Sequence, residues 1–136
     1  MRLTSRYRFS ASHRLDTAAL TPEQNRELYG KCNNPHGHGH DYLLEITVDG
    51  PVDESGQVVN RDAMDALVRE RVLSRVDHKN LNLDIHELAG SVTTTENLAT
   101  LIRTALSGGW SLPARLARVR ISETARNTFE LEVPRG

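Results

Sequence analysis

Three of the chain's six histidines crowd into the segment Pro35-His36-Gly37-His38-Gly39-His40. Imidazole nitrogen is a common ligand for divalent transition metals. In a strand, residues i and i+2 point to one face, so His38 and His40 can present two rings to one ion while Gly39 leaves them room to turn. His13 ends an alternating segment in its inward phase and offers a third nitrogen. Three neutral nitrogens with a fourth position open describe a catalytic zinc rather than a structural one. On its own an HxH pair is more often an exposed polar stretch, and His13 in phase shifts the balance toward metal. His36 competes as a ligand on spacing alone, although its place beside Pro35 assigns it to the loop before the strand. His86, next to Glu87, reads as surface.

Cys32 stands six residues before His38, and two roles fit it. It closes the metal site as a fourth ligand, or it acts as a base, because a neighbouring cation lowers a thiol from about 8.5 toward neutrality. Its neighbours Lys31, Asn33, Asn34 and Pro35 form a polar turn, which favours a working thiol over an inert buried one. Asp77-His78 follows a helical segment and is either an oriented carboxylate–imidazole pair or an ordinary helix C-terminus. Glu123 falls in an inward strand phase, where a carboxylate needs a cation or hydrogen-bond donors; a structural salt bridge is the plainer alternative.

The elements that must carry these residues follow from periodicity. Residues 2–13 alternate, with Leu3, Tyr7, Phe9 and Ala11 in one phase, and residues 38–48 alternate through Tyr42, Leu44, Ile46 and Val48. The polar stretch between them, with Pro22 and Gly30, reads as a long loop. PVDESG is a turn and GQVV a short strand, before a helix capped by Asn60 that carries Met64, Leu67, Val68, Val72 and Val76. A second helix opens at the capping-box pattern Thr93-x-x-Glu96 and ends at Gly108-Gly109. Two closing strands carry Ala117, Val119 and Ile121, then Phe129, Leu131 and Val133, joined by a turn at Arg126-Asn127. The expected fold is α+β: an antiparallel four-stranded sheet with two helices on one face. Its open edges invite pairing between subunits into a barrel.

The 136 residues suit a single domain, 1–136. With 17 basic against 18 acidic residues, no strong attraction to nucleic acid or anionic membrane is implied. One cysteine forms no internal disulfide, and no apolar run is long enough for a membrane span or a secretory signal, so a cytoplasmic location is expected. Three Tyr, two Phe and one Trp are a thin aromatic supply for a core, which also favours burial in an oligomer.

Five blocks together resemble the 6-pyruvoyl tetrahydropterin synthase family in order and spacing over nearly the whole chain. They are Phe9-Ser-Ala-Ser-His13-Arg, Cys32-Asn-Asn-Pro-His-Gly-His38-Gly-His40-Asp-Tyr, Asp77-His78-Lys-Asn-Leu-Asn, Thr94-Thr95-Glu96-Asn and Glu123-Thr. The resemblance implies the tunnelling fold, in which three subunits close a barrel and two trimers stack into a hexamer. It implies one zinc per subunit on His13, His38 and His40, with Cys32 abstracting a proton. It further implies Asp77 and His78 as a relay lent by a neighbouring subunit, and Glu123 as the anchor of the pterin ring, helped by Thr94 and Thr95.

The implied reaction converts 7,8-dihydroneopterin triphosphate into 6-pyruvoyl tetrahydropterin with loss of triphosphate, a phosphorus–oxygen lyase reaction. A triphosphate substrate also admits Mg2+ as its companion cation. His36 stands where the best-known members carry asparagine, and Arg14, Lys31 and Lys79 are candidates for the triphosphate on proximity alone. A second reaction on the same fold and metal gives 6-carboxytetrahydropterin and a two-carbon aldehyde, on the queuosine-type deazapurine route; the CNNPxGHGH and TTEN blocks look closer to the pyruvoyl-forming branch. More remote are a zinc hydrolase, which needs no cysteine, and a structural zinc module with Cys32 as fourth ligand.

Overall fold

The two alternating segments become strands β1 (Arg2–His13) and β2 (His38–Asp49), paired antiparallel so that Phe9 faces Tyr42 and His13 faces His38. The computed structural model describes residues 1–35, 37–88, 92–123 with the backbone of Thr124, and 127–135. Strand β4 (Arg115–Thr124) pairs antiparallel with the other side of β2, and β5 (Asn127–Glu132) with β4. A fifth strand, β3 (Lys79–Asn80), runs parallel to β1, giving the order β3-β1-β2-β4-β5. The expected four-stranded sheet is thus corrected to five strands. Two residues are too few to alternate, and what fixes β3 is β1 itself: Ser10 and Ser12 offer carbonyls to the N–H groups of His78 and Leu81.

Helices cover the apolar face. Residues 61–76 form one rod of α2 (Arg61–Val68), a π turn (Arg69–Leu73) and α3 (Ser74–Val76), started by Asn60, whose side chain accepts the Ala63 N–H at 3.0 Å. Met64, Val68, Val72 and Val76 recur every four residues, a spacing that drifts about 40° per step around an α-helix. The wider π turn takes up that drift, and all four side chains are buried. Helix α4 (Thr95–Ser107) buries Leu98, Ile102 and Leu106 in the same core. Its cap is Thr94, whose hydroxyl accepts the Asn97 N–H at 3.3 Å, one residue beyond the expected box; Thr93 is turned inward and buried.

The expected long loop contains a further helix, α1 (Pro22–Tyr29), and a 3-10 turn (Gly30–Asn33). Residues 57–59 make no strand, while the expected turn before them closes as Gly56 N–H donates to Asp53 O at 3.0 Å. Of the expected Arg126-Asn127 turn, Arg126 falls outside the described residues and Asn127 opens β5. Among the described residues, no helix is long and apolar enough to cross a membrane.

The sheet's opposite face is charged, with Glu45 set between Arg6 at 3.7 Å and Arg120 at 3.6 Å. On the helix-covered face the apolar rows run out at one end. Phe9 and Ala11 give way to His13, Tyr42 to His40 and His38, and Ile121 to Glu123.

Candidate metal and catalytic site

At that polar end, ligand atoms of His13, Cys32, His40 and Glu123 lie within 4.8 Å of one another. Strands β1, β2 and β4 supply three of them, and the 3-10 turn supplies Cys32. That turn is tied to the chain just past β1, where Leu15 N–H donates to Cys32 O at 2.6 Å. The return to β2 passes so close to β1 that a Cβ on Gly37, whose φ is +82°, would sit 2.9 Å from the His13 carbonyl oxygen. Only glycine meets both demands without strain.

His13 is fully buried, with Nδ1 2.8 Å from the carbonyl oxygen of Thr93. A carbonyl only accepts, so Nδ1 carries the proton and Nε2 keeps its lone pair. That Nε2 faces His40 Nε2 at 3.0 Å, and the same His40 nitrogen lies 3.5 Å from Cys32 Sγ and 2.9 Å from Glu123 Oε1. One ring nitrogen has a single proton or a single lone pair and cannot satisfy three partners. Two imidazole nitrogens, a sulfur and a carboxylate oxygen aimed at one point are a donor set that a divalent cation satisfies.

The electrostatics agree. Burial first, reinforced by the neighbouring His38, holds His13 and His40 below the ordinary imidazole range against the opposing pull of Glu123. Both rings are therefore neutral near neutral pH, the form in which an imidazole can bind a metal. Burial and then Glu123 push the Cys32 thiol up; a cation at the site acts in the other direction.

His38 shares this face, its ring edge-on to His40 with centroids 4.7 Å apart, but its nitrogens fall outside the four-residue group. Cys32 and Glu123 fall inside it. Glu123 Oε2 accepts a bond from Thr95 Oγ1 at 2.9 Å, so both carboxylate oxygens are engaged, whereas the Thr94 hydroxyl caps α4.

Asp77 and His78 stand apart, on the β3 edge of the sheet. Asp77 Oδ1 accepts the Ser10 N–H at 3.0 Å and His78 N–H donates to Ser10 O at 2.6 Å, so the pair grips both backbone groups of one β1 residue. His78 adopts φ +58°, and its side chain is 83% exposed, with Nε2 3.7 Å from Asp77 Oδ2. It borders an open depression of about 550 Å³ together with Ser10, Ser12, Asp41 and Lys79; His40 of the cluster also reaches this depression.

Of the other candidates, Arg14 donates from Nε to Asn33 O at 3.2 Å, and His86 is exposed. Lys31 and Lys79 enter no ion pair among the described residues. His36 lies outside the described residues. Sequence reasoning missed Thr93, which acts through its carbonyl, a group every residue carries.

Known proteins share this arrangement of chain. The sequence pattern described as 6-pyruvoyl tetrahydropterin synthase matches residues 2–134. The 6-pyruvoyl tetrahydrobiopterin synthase of Drosophila melanogaster is 42% identical over 133 residues, covering 97% of this chain and 79% of the relative. The Homo sapiens protein of the same name is 42% identical over 127 residues, covering 92% and 86%. The solved structure of Caenorhabditis elegans 6-pyruvoyl tetrahydropterin synthase superposes with a TM-score of 0.89 at 35% identity, covering 98% of this chain and 96% of that one. Sequence pattern, close relatives and backbone agree from one end to the other, and the chain belongs to the 6-pyruvoyl tetrahydropterin synthase family.

Proposed function

We propose that the protein converts 7,8-dihydroneopterin triphosphate into 6-pyruvoyl tetrahydropterin with release of triphosphate. The observation that carries this reading is the convergence of His13, Cys32, His40 and Glu123 on one point in a chain of this family. Zinc, one per subunit, is the metal that suits the nitrogen-rich set, with His13, His38 and His40 as ligands. His38 supports this set by sharing a face with His40 and a register position with His13. When bound, zinc supplies Lewis acidity to the hydroxyl oxygens of the substrate side chain.

The chain's own groups divide the remaining work. Cys32 Sγ, beside His40, takes the carbon-bound proton next to those hydroxyls. Glu123 grips the two-donor edge of the pterin ring, a planar pairing that suits a carboxylate, and Thr95 orients it through Oε2. Thr94 flanks the same edge from the start of α4. Asp77 and His78 handle the hydroxyl protons in the site of a neighbouring subunit; the 83% exposure of the His78 side chain, at the edge of the sheet, supports contact with another subunit.

A hexamer built from two trimers, each closing its sheets into a barrel, brings such sites together. Mg2+ accompanies the triphosphate. A reactive free thiol belongs in a reducing compartment, which supports a cytoplasmic location. Incubation of the zinc-loaded protein with 7,8-dihydroneopterin triphosphate, with products identified by mass, tests the proposal. 6-Pyruvoyl tetrahydropterin and triphosphate are expected; 6-carboxytetrahydropterin and acetaldehyde would reassign the enzyme to the deazapurine branch.

A further inference from the structure

The segment Asn80-Leu81-Asn82 directly follows Asp77-His78-Lys79 and has no part in the chemistry above. Its geometry is specific nonetheless. The short parallel ladder between β3 and β1 pairs Ala11 with Lys79 and Ser12 with Asn80, and Leu81 N–H continues it to Ser12 O at 2.8 Å. There the backbone turns away, with Asp84 N–H donating to Asn80 O at 2.8 Å. The Asn82 side chain carries the ladder one step further. Its Oδ1 accepts the Arg14 N–H at 2.6 Å and its Nδ2 donates to Arg14 O at 3.0 Å. A primary amide presents one acceptor and one donor in a plane, the same pair that a neighbouring strand would offer.

Arg14 is the residue after His13. The clamp therefore fixes the peptide leaving His13, at the point where β1 ends and the chain would otherwise be free to swing. Thr93 joins it: its hydroxyl lies 3.4 Å from Arg14 O and 3.5 Å from Asn82 Oδ1, while its carbonyl takes His13 Nδ1 at 2.8 Å. The turn is itself braced, since Asn80 Oδ1 accepts the Asn82 N–H at 2.9 Å and Asp84 Oδ2 the Asn80 N–H at 2.8 Å.

We infer that Asn82 is a positioning residue for the metal site: by standing in for a missing strand partner at Arg14, it holds the His13 backbone so that Nδ1 meets Thr93 O and Nε2 points at the metal. This inference rests on the metal reading of the site. Groups that orient metal-bound histidines commonly change metal affinity about 10- to 100-fold when removed.

The test compares Asn82→Ala, Asn82→Asp and a control in the same turn, Leu83→Ala, whose side chain is exposed. Two readouts are taken: the slowly exchanging His13 Nδ1–H resonance of the metal-free protein, and the rate at which zinc passes to a chelator. Asn82→Ala is expected to lose the resonance and to release zinc about 10- to 100-fold faster. Asn82→Asp, which keeps an acceptor for the Arg14 N–H, should fall between it and wild type, and Leu83→Ala should match wild type. Wild-type behaviour of Asn82→Ala in both readouts overturns the inference. Should Asn82→Ala fail to fold, Asn82→Asp decides in the same way. A wild-type protein that takes up no zinc defeats the metal reading alone, and the resonance then settles the role of Asn82.

Discussion

His13 and His40 meet through their Nε2 atoms at 3.0 Å, and His13 has no freedom to answer with a proton because its Nδ1–H is committed to Thr93 O. With Cys32 Sγ and Glu123 Oε1 also crowding His40 Nε2, a shared cation satisfies these groups where one proton cannot.

Acid should destabilise the metal-free protein. Both rings are held below the ordinary value of 6.5, so the unfolded chain binds protons that the folded chain resists. Their contribution is complete above that value and is lost as pH falls through the lower folded values. Thermal melts of chelator-treated protein across this range should show the melting temperature dropping on the acid side, and added zinc should move the drop to lower pH. A flat profile without metal would contradict neutral buried rings.

Cys32→Ala separates a base from a ligand. As the base, its loss should lower turnover by about 10²- to 10⁴-fold while zinc stays bound. Loss of zinc together with folding would instead make the sulfur a structural ligand, and full turnover with zinc in place would point to hydrolase-like chemistry.

Thr95→Val removes the hydroxyl that bonds Glu123 Oε2. A hydrogen bond to a charged group is worth about 2 kcal/mol, so pterin binding should weaken by a factor of about 30. Titration of ligand fluorescence measures this directly. An unchanged affinity would mean that Glu123 needs no orienting partner.

Gly37→Ala should damage fold and site together. The new Cβ meets the His13 carbonyl oxygen at 2.9 Å on a backbone with φ +82°, a combination that should cost more than about 1 kcal/mol. Denaturant unfolding reads the stability, and chelator competition reads the accompanying loss of metal affinity. For the stability readout alone, Gly39→Ala, with open space around its Cβ, serves as the control.

Mixing inactive variants tests whether subunits share a site. Cys32→Ala and His78→Ala homo-oligomers should each be nearly inactive, and co-refolded mixtures should regain activity through sites that draw an intact thiol from one chain and an intact imidazole from another. Mixtures that stay as inactive as their parents would place both groups within one chain's site.

Much of this was legible in the sequence, for physical reasons that differ by element. Strands β1 and β4 bury mainly one face, β2 buries its apolar row with Glu45 and Thr47 behind it, and β5 half-buries Phe129 and Leu131, so apolar alternation shows in all four, and the same phase placed His13, His38, His40 and Glu123 inward. Helix α1 buries only Asn25 and has no apolar stripe; the capping box of Thr21 and Gln24 with Pro22 was its one readable signal. Strand β3 is defined by its partner and not by its own composition. In the Val92-Thr-Thr-Thr-Glu-Asn run, side-chain type could not say which threonine caps α4, and packing chose Thr94 by burying Thr93. The acceptor for His13 and the clamp from Asn82 each pair a side chain with a backbone group about seventy to eighty residues away in sequence, which no local pattern reports.

The most direct measurement is elemental analysis of protein purified without chelator, made on wild type and on His13→Ala. One zinc per chain in wild type, lost in His13→Ala together with turnover, is the expected result. A metal-free wild type that still turns over 7,8-dihydroneopterin triphosphate, with His13→Ala equally active, would contradict a metal centre built on these imidazoles.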